Sequence, residues 1–283
     1  MENKNVSTSG WYEPLLKIMR SVEFPHKLGL CDRLLGASLS RLGITEIMTG
    51  AGLIWKLDLR NSTSRWIVYG LYDPGFLLWA KHFVPENGII IDSGANIGQM
   101  AIYLGQMNPR GRLFAFEPGQ HQADWLAGQL VKNRRLLQSV EIHRLGLGEK
   151  EENLFLQDEG AEETHGGQSQ IRTTGSELVH VVRLDQFLET QGVDHVDLWK
   201  LDVEGHEIPA LRGAMPLLES HRVHAIYAEL HEENGMAIRK FLKDLDYNAY
   251  VFSSWRRNPQ PETNPALHDN GLFVPASLSL TRV

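Results

Sequence analysis

Three consecutive isoleucines, Ile89-Ile90-Ile91, run into Asp92-Ser93-Gly94-Ala95-Asn96-Ile97-Gly98, and this junction limits the fold more than any other feature of the chain. A short apolar run branched at Cβ reads as a buried strand, the glycines as a tight turn, and the residues after Gly98 as a helix. Beyond that helix, over 98–106, and the turn Asn108-Pro109-Arg110-Gly111, a second apolar run at 113–116 ends in Glu117. Strand, turn, helix and strand in that order predict a βαβ unit within a parallel sheet.

The acids at the strand ends decide the ligand. A glycine turn leading into a helix offers free N–H groups and a positive dipole end, and so attracts anions. Asp92 adds a fixed negative charge there, and a pyrophosphate beside it would meet a repulsion of several kcal/mol at an effective dielectric of about 20. S-adenosylmethionine has no phosphate: its sulfonium and ammonium groups are cationic, and its carboxylate can use the turn's N–H groups. Glu117, roughly 20 residues past the glycines, stands where an acid accepts hydrogen bonds from ribose hydroxyls. The predicted cofactor site is therefore Asp92, Ser93, Gly94, Ala95, Asn96, Glu117 and Pro118. The competing reading makes Asp92 and Asn96 caps of one helix and Glu117 a cap of the next.

Composition narrows the class. At 283 residues the chain can bury a large core, and its 42% hydrophobic and 22% charged content is that of a soluble globule. No run approaches the roughly 20 apolar residues of a membrane span. The polar start Met1-Glu2-Asn3-Lys4-Asn5 and the single Cys31, which cannot pair internally, predict a cytoplasmic protein without a membrane partner. A net charge of −7 and no stripe of lysine and arginine predict that nucleic acid is not the substrate. The sequence carries no signal for the oligomeric state.

Alternation of strands and helices from Ile89 onward predicts an α/β chain: a Rossmann-like, seven-stranded, mostly parallel sheet with helices on both faces, plus an N-terminal extension. The expected divisions are an extension over 1–84, the sheet domain over 85–276 and a tail over 277–283. In the extension, 53–59 and 66–69 read as short strands, and Asp73-Pro74 as a helix start. Further strands are expected at 140–145, 196–201 and 223–228, with a closing pair at 248–252 and 271–274. An insertion carries possible strands at 153–156 and 179–183. Its segment 158–177, long for a connection, reads as a lid, as part of an acceptor pocket or as an idle surface loop.

Asp92-Ser93-Gly94-Ala95-Asn96-Ile97-Gly98, Phe116-Glu117-Pro118 and, most specifically, Lys200-Leu201-Asp202-Val203-Glu204-Gly205-His206-Glu207 resemble the FkbM family of S-adenosylmethionine-dependent methyltransferases. Tyr69-Gly70-Leu71-Tyr72-Asp73-Pro74 is similar to that family's entry segment, so the resemblance runs from about residue 69 to 275. It implies methyl transfer to hydroxyl oxygens of sugars, polyketides and other secondary metabolites. Ser93 is a mild departure from the family's pattern.

Four predicted strands end in acids, Asp92, Glu117, Asp202 and Glu229, at the edge where open α/β sheets bind ligands. Methyl transfer is an in-line displacement that needs an oxygen held about 3 Å from the methyl carbon. A base helps when the acceptor is an alcohol, and Asp202, Glu204 and His231 are assigned to catalysis, His231 because an imidazole pKa near 6.5 suits neutral pH. Tyr72, His206 and Glu229 are assigned to the small-molecule acceptor. The quieter reading has Glu204 and Glu207 serving the first turn of a helix, worth roughly 0.3–1 kcal/mol, with Gly205 supplying a positive φ and Lys200 neutralising an acid.

Asp202, Glu204, Glu229 and His231 would also suit Mg²⁺ or Mn²⁺, but without a close-spaced Asp-Asp pair no metal is predicted. Adenine recognition is expected from 143–147, and Trp11, Tyr12, Trp55, Trp66 and Trp79 are candidates for an aromatic acceptor wall or for core. An NAD-type oxidoreductase and a non-catalytic binding module are the alternatives. Asp92 and the Asn96 that replaces a middle glycine count against the first.

Overall fold

A computed structural model describes residue 16 and residues 27–49, 52–70, 73–158, 169–230, 234–252, 258–264 and 269–280. Tyr72, His231 and the middle of the insertion, 159–168, lie outside the described residues, as do Trp11 and Tyr12.

The βαβ expectation holds. Strand β3 (Ile89–Ser93) leads through the glycine turn into helix α5 (Gln99–Met107), and β4 (Arg112–Phe116) returns parallel to β3 with Asp92 opposite Ala115. On the far side of β4 lies β5 (Val140–His143), reached through α6 (Gln120–Asn133). On the other side of β3 the order continues through β10 (Leu198–Leu201), β11 (Ile226–Glu229), β14 (Asn270–Pro275), β12 (Tyr247–Val251) and the two-residue β13 (Gln260–Pro261). The five strands from β5 to β11 are parallel and the last three antiparallel. That makes eight strands, one beyond the expected seven, because β13 adds a two-residue edge to β12. Strand order reverses between β3 and β10, so their carboxyl ends splay apart and leave a crevice.

Both faces of this sheet are covered, which is why its central strands are mostly apolar rather than alternating. Ile90, Leu113, Leu198 and Tyr227 pack under α5 and α4 (Pro74–Phe83), through Phe76, Trp79, Met100 and Leu104. Ile91, Phe114, Trp199 and Ile226 face α7 (Leu184–Thr190), α8 (Glu207–Arg212), α9 (Met215–Glu219) and α10 (Gly235–Asp244). Among the described residues no helix is long and apolar enough to cross a membrane.

The strands expected in the insertion at 153–156 and 179–183 form, and with two short partners they build a second sheet. Strands β6 (Gly146–Leu147), β9 (Glu177–Val182), β7 (Glu152–Asp158) and β8 (Ser169–Arg172) pair in that order, with β7 antiparallel to both β8 and β9.

The N-terminal part holds a helical run, α1 (Lys27–Cys31) continuing through a π turn into α2 (Ala37–Ser40), and the antiparallel pair β1 (Ile44–Met48) and β2 (Ile54–Asp58). Two buried polar side chains of α6 complete the outer edge of β2. Asn133 exchanges hydrogen bonds with the backbone of Ile54 at 2.8 and 2.7 Å, and Gln129 with that of Lys56 at 2.9 and 2.8 Å. A helix thereby satisfies strand groups that would otherwise be orphaned.

Residues 66–69, expected as a strand, are the end of helix α3 (Ser62–Tyr69). The β-branched and aromatic run misleads because the ends of the segment outweigh its middle. Asn61 accepts the Thr63 N–H at 2.9 Å as an N-cap, and Gly70 at φ 72° terminates the helix.

Candidate functional site

The crevice between β3 and β10 opens into a cavity of about 270 Å³. Its floor is the glycine turn. Gly94 takes φ 75°, and a Cβ there would overlap the Asp202 carbonyl oxygen, so the turn passes directly against the end of β10. Trp199 donates its indole N–H to Ser93 Oγ at 2.7 Å and fixes the same junction from the opposite side.

Four of the turn's N–H groups are already engaged, contrary to the expectation that they stand free. Gly94 and Ala95 both donate to the Phe116 carbonyl at 3.0 Å, Gly98 to Ala95 at 2.8 Å, and Asn96 to Glu117 Oε2 at 2.8 Å. Glu117 also accepts the Gly119 N–H at 2.9 Å through Oε1. Its carboxylate therefore ties two turns together while still lining the cavity. Burial raises its pKa to about 7, against the two backbone hydrogen bonds and with a push from Asp92 and Glu177.

Of the other cofactor candidates, Ser93, Gly94, Asn96 and Pro118 line the cavity, whereas Ala95 and Asp92 are buried behind it. Asp92 is 1% exposed, and neither carboxylate oxygen has a hydrogen-bond partner among the described residues. Desolvation lifts its pKa to about 6, with Lys200 opposing, Asp202 reinforcing and the Ala101 amide in the first turn of α5 opposing again. Lys200 sits directly opposite Asp92 across the β3–β10 pairing and Tyr227 opposite Lys200 on β11, so charge is concentrated in one row of the sheet.

Asp202, Glu204 and Glu229 converge at the other end of the cavity, each with a carboxylate oxygen within 4.8 Å of the others. The Lys200 ammonium bonds Asp202 from below. Burial first, and then the neighbouring Asp202 and Glu204 charges, push the Glu229 carboxyl far above the ordinary carboxylate range. Glu204 adopts φ 50°, rare for a residue with a side chain, and Gly205 follows at φ 91°. Three of the four donors weighed for a divalent cation thus meet; the fourth, His231, and the acceptor candidate Tyr72 fall outside the described residues. His206 is not in the cavity wall. It lies beside Gly148 at the second sheet, where burial lowers its pKa against the pull of Glu152.

The rest of the wall comes from residues without a local signal. Of the stretch 143–147, only Leu145, Gly146 and Leu147 line the cavity, joined by Leu156 and Ile171 of the inserted sheet and by Thr63 and Trp66 of α3. Gln99 and Gln122 also line it. Both occupy first turns of helices that follow strand ends, a placement readable once the strands are known. Of the aromatic candidates among the described residues only Trp66 reaches the cavity, while Trp55 and Trp79 are core. Glu207 stands in the first turn of a helix, as its quieter reading had it, and is fully buried; it also holds the loop from which Glu204 projects.

Comparison with known proteins agrees with this geometry. The family profile described as the methyltransferase FkbM domain matches residues 92–249. Methyltransferase 1 of Beauveria bassiana is 29% identical over 149 residues, 46% of this chain and 59% of that protein. Methyltransferase sdnD of Sordaria araneosa is 28% identical over 199 residues, 58% of this chain and 75% of that one. The hexuronic acid methyltransferase AglP of Haloferax volcanii is 29% identical over 147 residues, 52% of this chain and 57% of its own. The match thus spans under two thirds of the length of the Beauveria and Haloferax proteins.

Proposed function

The chain belongs to the FkbM family of methyltransferases, and we propose that it methylates a hydroxyl oxygen of a small molecule at the expense of S-adenosylmethionine. The observation that carries this reading is the charge of the cavity. Glu117, Asp202, Glu204 and Glu229 line it, and among the described residues no lysine, arginine or histidine does. Asp92 behind the wall adds a buried carboxylate whose two oxygens lack hydrogen-bond partners among the described residues. Such a crevice at the switch point of a parallel sheet favours a cationic nucleoside over a pyrophosphate.

When bound, S-adenosylmethionine supplies an activated methyl group on a sulfonium. Glu117, at the end of β4, is placed for the ribose, and 145–147 with Leu156 and Ile171 form an apolar slot for the adenine. The acceptor lies by Asp202, Glu204 and Glu229. Asp202 is engaged by Lys200, and Glu229 holds its proton at neutral pH in a hydrogen bond to Asp202. Glu204 then takes the proton of the attacking hydroxyl. His231 stays a second candidate base from its sequence position.

The same charge selects the acceptor. A neutral polyhydroxylated molecule suits the acidic end, whereas a carboxylate or phosphate there would be repelled; nucleic acid and a hexuronic acid are both disfavoured. The Lys200 ammonium also occupies the place a divalent cation would compete for, which supports a reaction without metal.

Calorimetry with S-adenosylhomocysteine and with NADH, followed by a labelled-methyl screen of neutral glycosides, polyketide alcohols and uronic acids, tests this. Binding of S-adenosylhomocysteine alone and labelling of a neutral alcohol are expected, with Glu204→Gln lowering kcat about 100-fold. Tight NADH binding without S-adenosylhomocysteine binding overturns the proposal.

A further inference from the structure

Asn234 stands at the N-cap of α10, the position its side chain is best suited to satisfy, yet it makes no capping hydrogen bond. Its Nδ2 instead donates to Glu207 Oε2, and its Oδ1 is buried without a partner among the described residues. Glu207 is fully buried at the start of α8, and its other oxygen accepts two backbone N–H groups, those of Val203 and Gly205, each at 3.1 Å. These flank Glu204, whose backbone is held at φ 50°.

A left-handed conformation at a residue with a side chain is strained and persists only where neighbours enforce it. The Glu207 carboxylate does so by closing a ring around Glu204 from the following helix. It also reaches across to Asn234 at the start of α10. One buried side chain therefore joins the loop that carries Glu204 to the helix that follows β11.

We propose that Glu207 is a positioning residue: clamped to Asn234, it locks the loop after β10 to the start of α10, so that Glu204 is held toward the acceptor beside Glu229. The inference rests on the reading of these acids as the acceptor end of a methyltransferase site. A helix-dipole role alone would need neither the bonds to Val203 and Gly205 nor the diverted cap of Asn234.

Exchanging the polarity of the pair tests it. In Asn234→Asp two carboxylates face each other and the clamp opens. Adding Glu207→Gln restores a donor and an acceptor, since the new amide can donate to the carboxylate introduced at position 234 while its oxygen keeps the Val203 and Gly205 N–H groups. Glu207→Gln alone survives by rotation of the Asn234 amide, which offers its orphaned Oδ1.

N234D is expected to speed hydrogen exchange at the Val203 and Gly205 amides at least tenfold. With the best acceptor from the screen, its kcat falls at least 30-fold while the affinity for S-adenosylhomocysteine stays within threefold. The double variant E207Q/N234D is expected to recover both exchange protection and kcat to within fivefold of the parent. Unchanged exchange and kcat in N234D, or a double variant no better than N234D, overturns the proposal. If N234D does not fold, folding and activity of the double variant support the clamp and their absence overturns it. A parent that neither binds S-adenosylhomocysteine nor transfers methyl fails the functional reading instead, and exchange at the two amides still decides the clamp.

Discussion

At Gly94 two requirements meet: φ is 75°, and the space a Cβ would occupy holds the Asp202 carbonyl oxygen. Gly94→Ala is expected to cost more than about 3 kcal/mol, because neither backbone can yield without moving β3 from β10. Urea unfolding would show it as a lower midpoint. Asp92 is the opposite case, a residue whose presence lowers stability. Folding raises its pKa from 3.8 to about 6, so the native state binds this proton more tightly than the unfolded chain. The associated stability is complete below about pH 4 and is lost as pH rises through 6. Asp92→Asn is therefore expected to stabilise the ligand-free protein at pH 8 by up to about 3 kcal/mol, with no gain at pH 4, and to weaken S-adenosylmethionine binding about tenfold. Equal stability of parent and variant at both pH values would contradict the burial argument. Residue identities at 92, 94 and 117 were legible because strand ends and glycine turns announce themselves locally. That Asp92 lies behind the wall and Glu117 on it was not, since one-sided exposure depends on what packs above each strand.

Helices α3 and α6 show how far an element can be read from its own residues. Trp66-Ile67-Val68-Tyr69 has the composition of a strand, and only Asn61 and Gly70 at its borders mark the helix. Once helical, α3 turns Thr63 and Trp66 into the cavity. Trp66→Ala is expected to raise the acceptor KM about tenfold, the loss of roughly 1.4 kcal/mol of ring contact, while leaving S-adenosylhomocysteine affinity unchanged. A matched loss in both would place Trp66 at the cofactor end. Gln129 and Asn133 of α6 look like ordinary polar residues on a surface helix. Their pairing with β2 is invisible in sequence because their partners are 73 and 79 positions away.

For the whole molecule the prediction is one of linkage. A ligand that binds only the folded state at 100 times its Kd adds about 2.7 kcal/mol, or roughly 4–5 °C in a chain of this length. S-adenosylhomocysteine is expected to raise Tm by that amount, and neither NADH nor a chelator to change it; a shift with NADH alone would overturn the cofactor assignment. By itself the sequence determined the parallel α/β sheet, the acids at its strand ends and the family motif, because each depends on periodicity and spacing over a few neighbouring residues. Only the tertiary structure decided that the strands of the insertion pair with 146–147 and 169–172 in a separate sheet, that four of the turn's N–H groups are consumed internally, and which acids share the cavity with α3. Those outcomes depend on contacts between segments far apart in the chain, and no local pattern of side chains encodes which distant group will satisfy a given hydrogen bond.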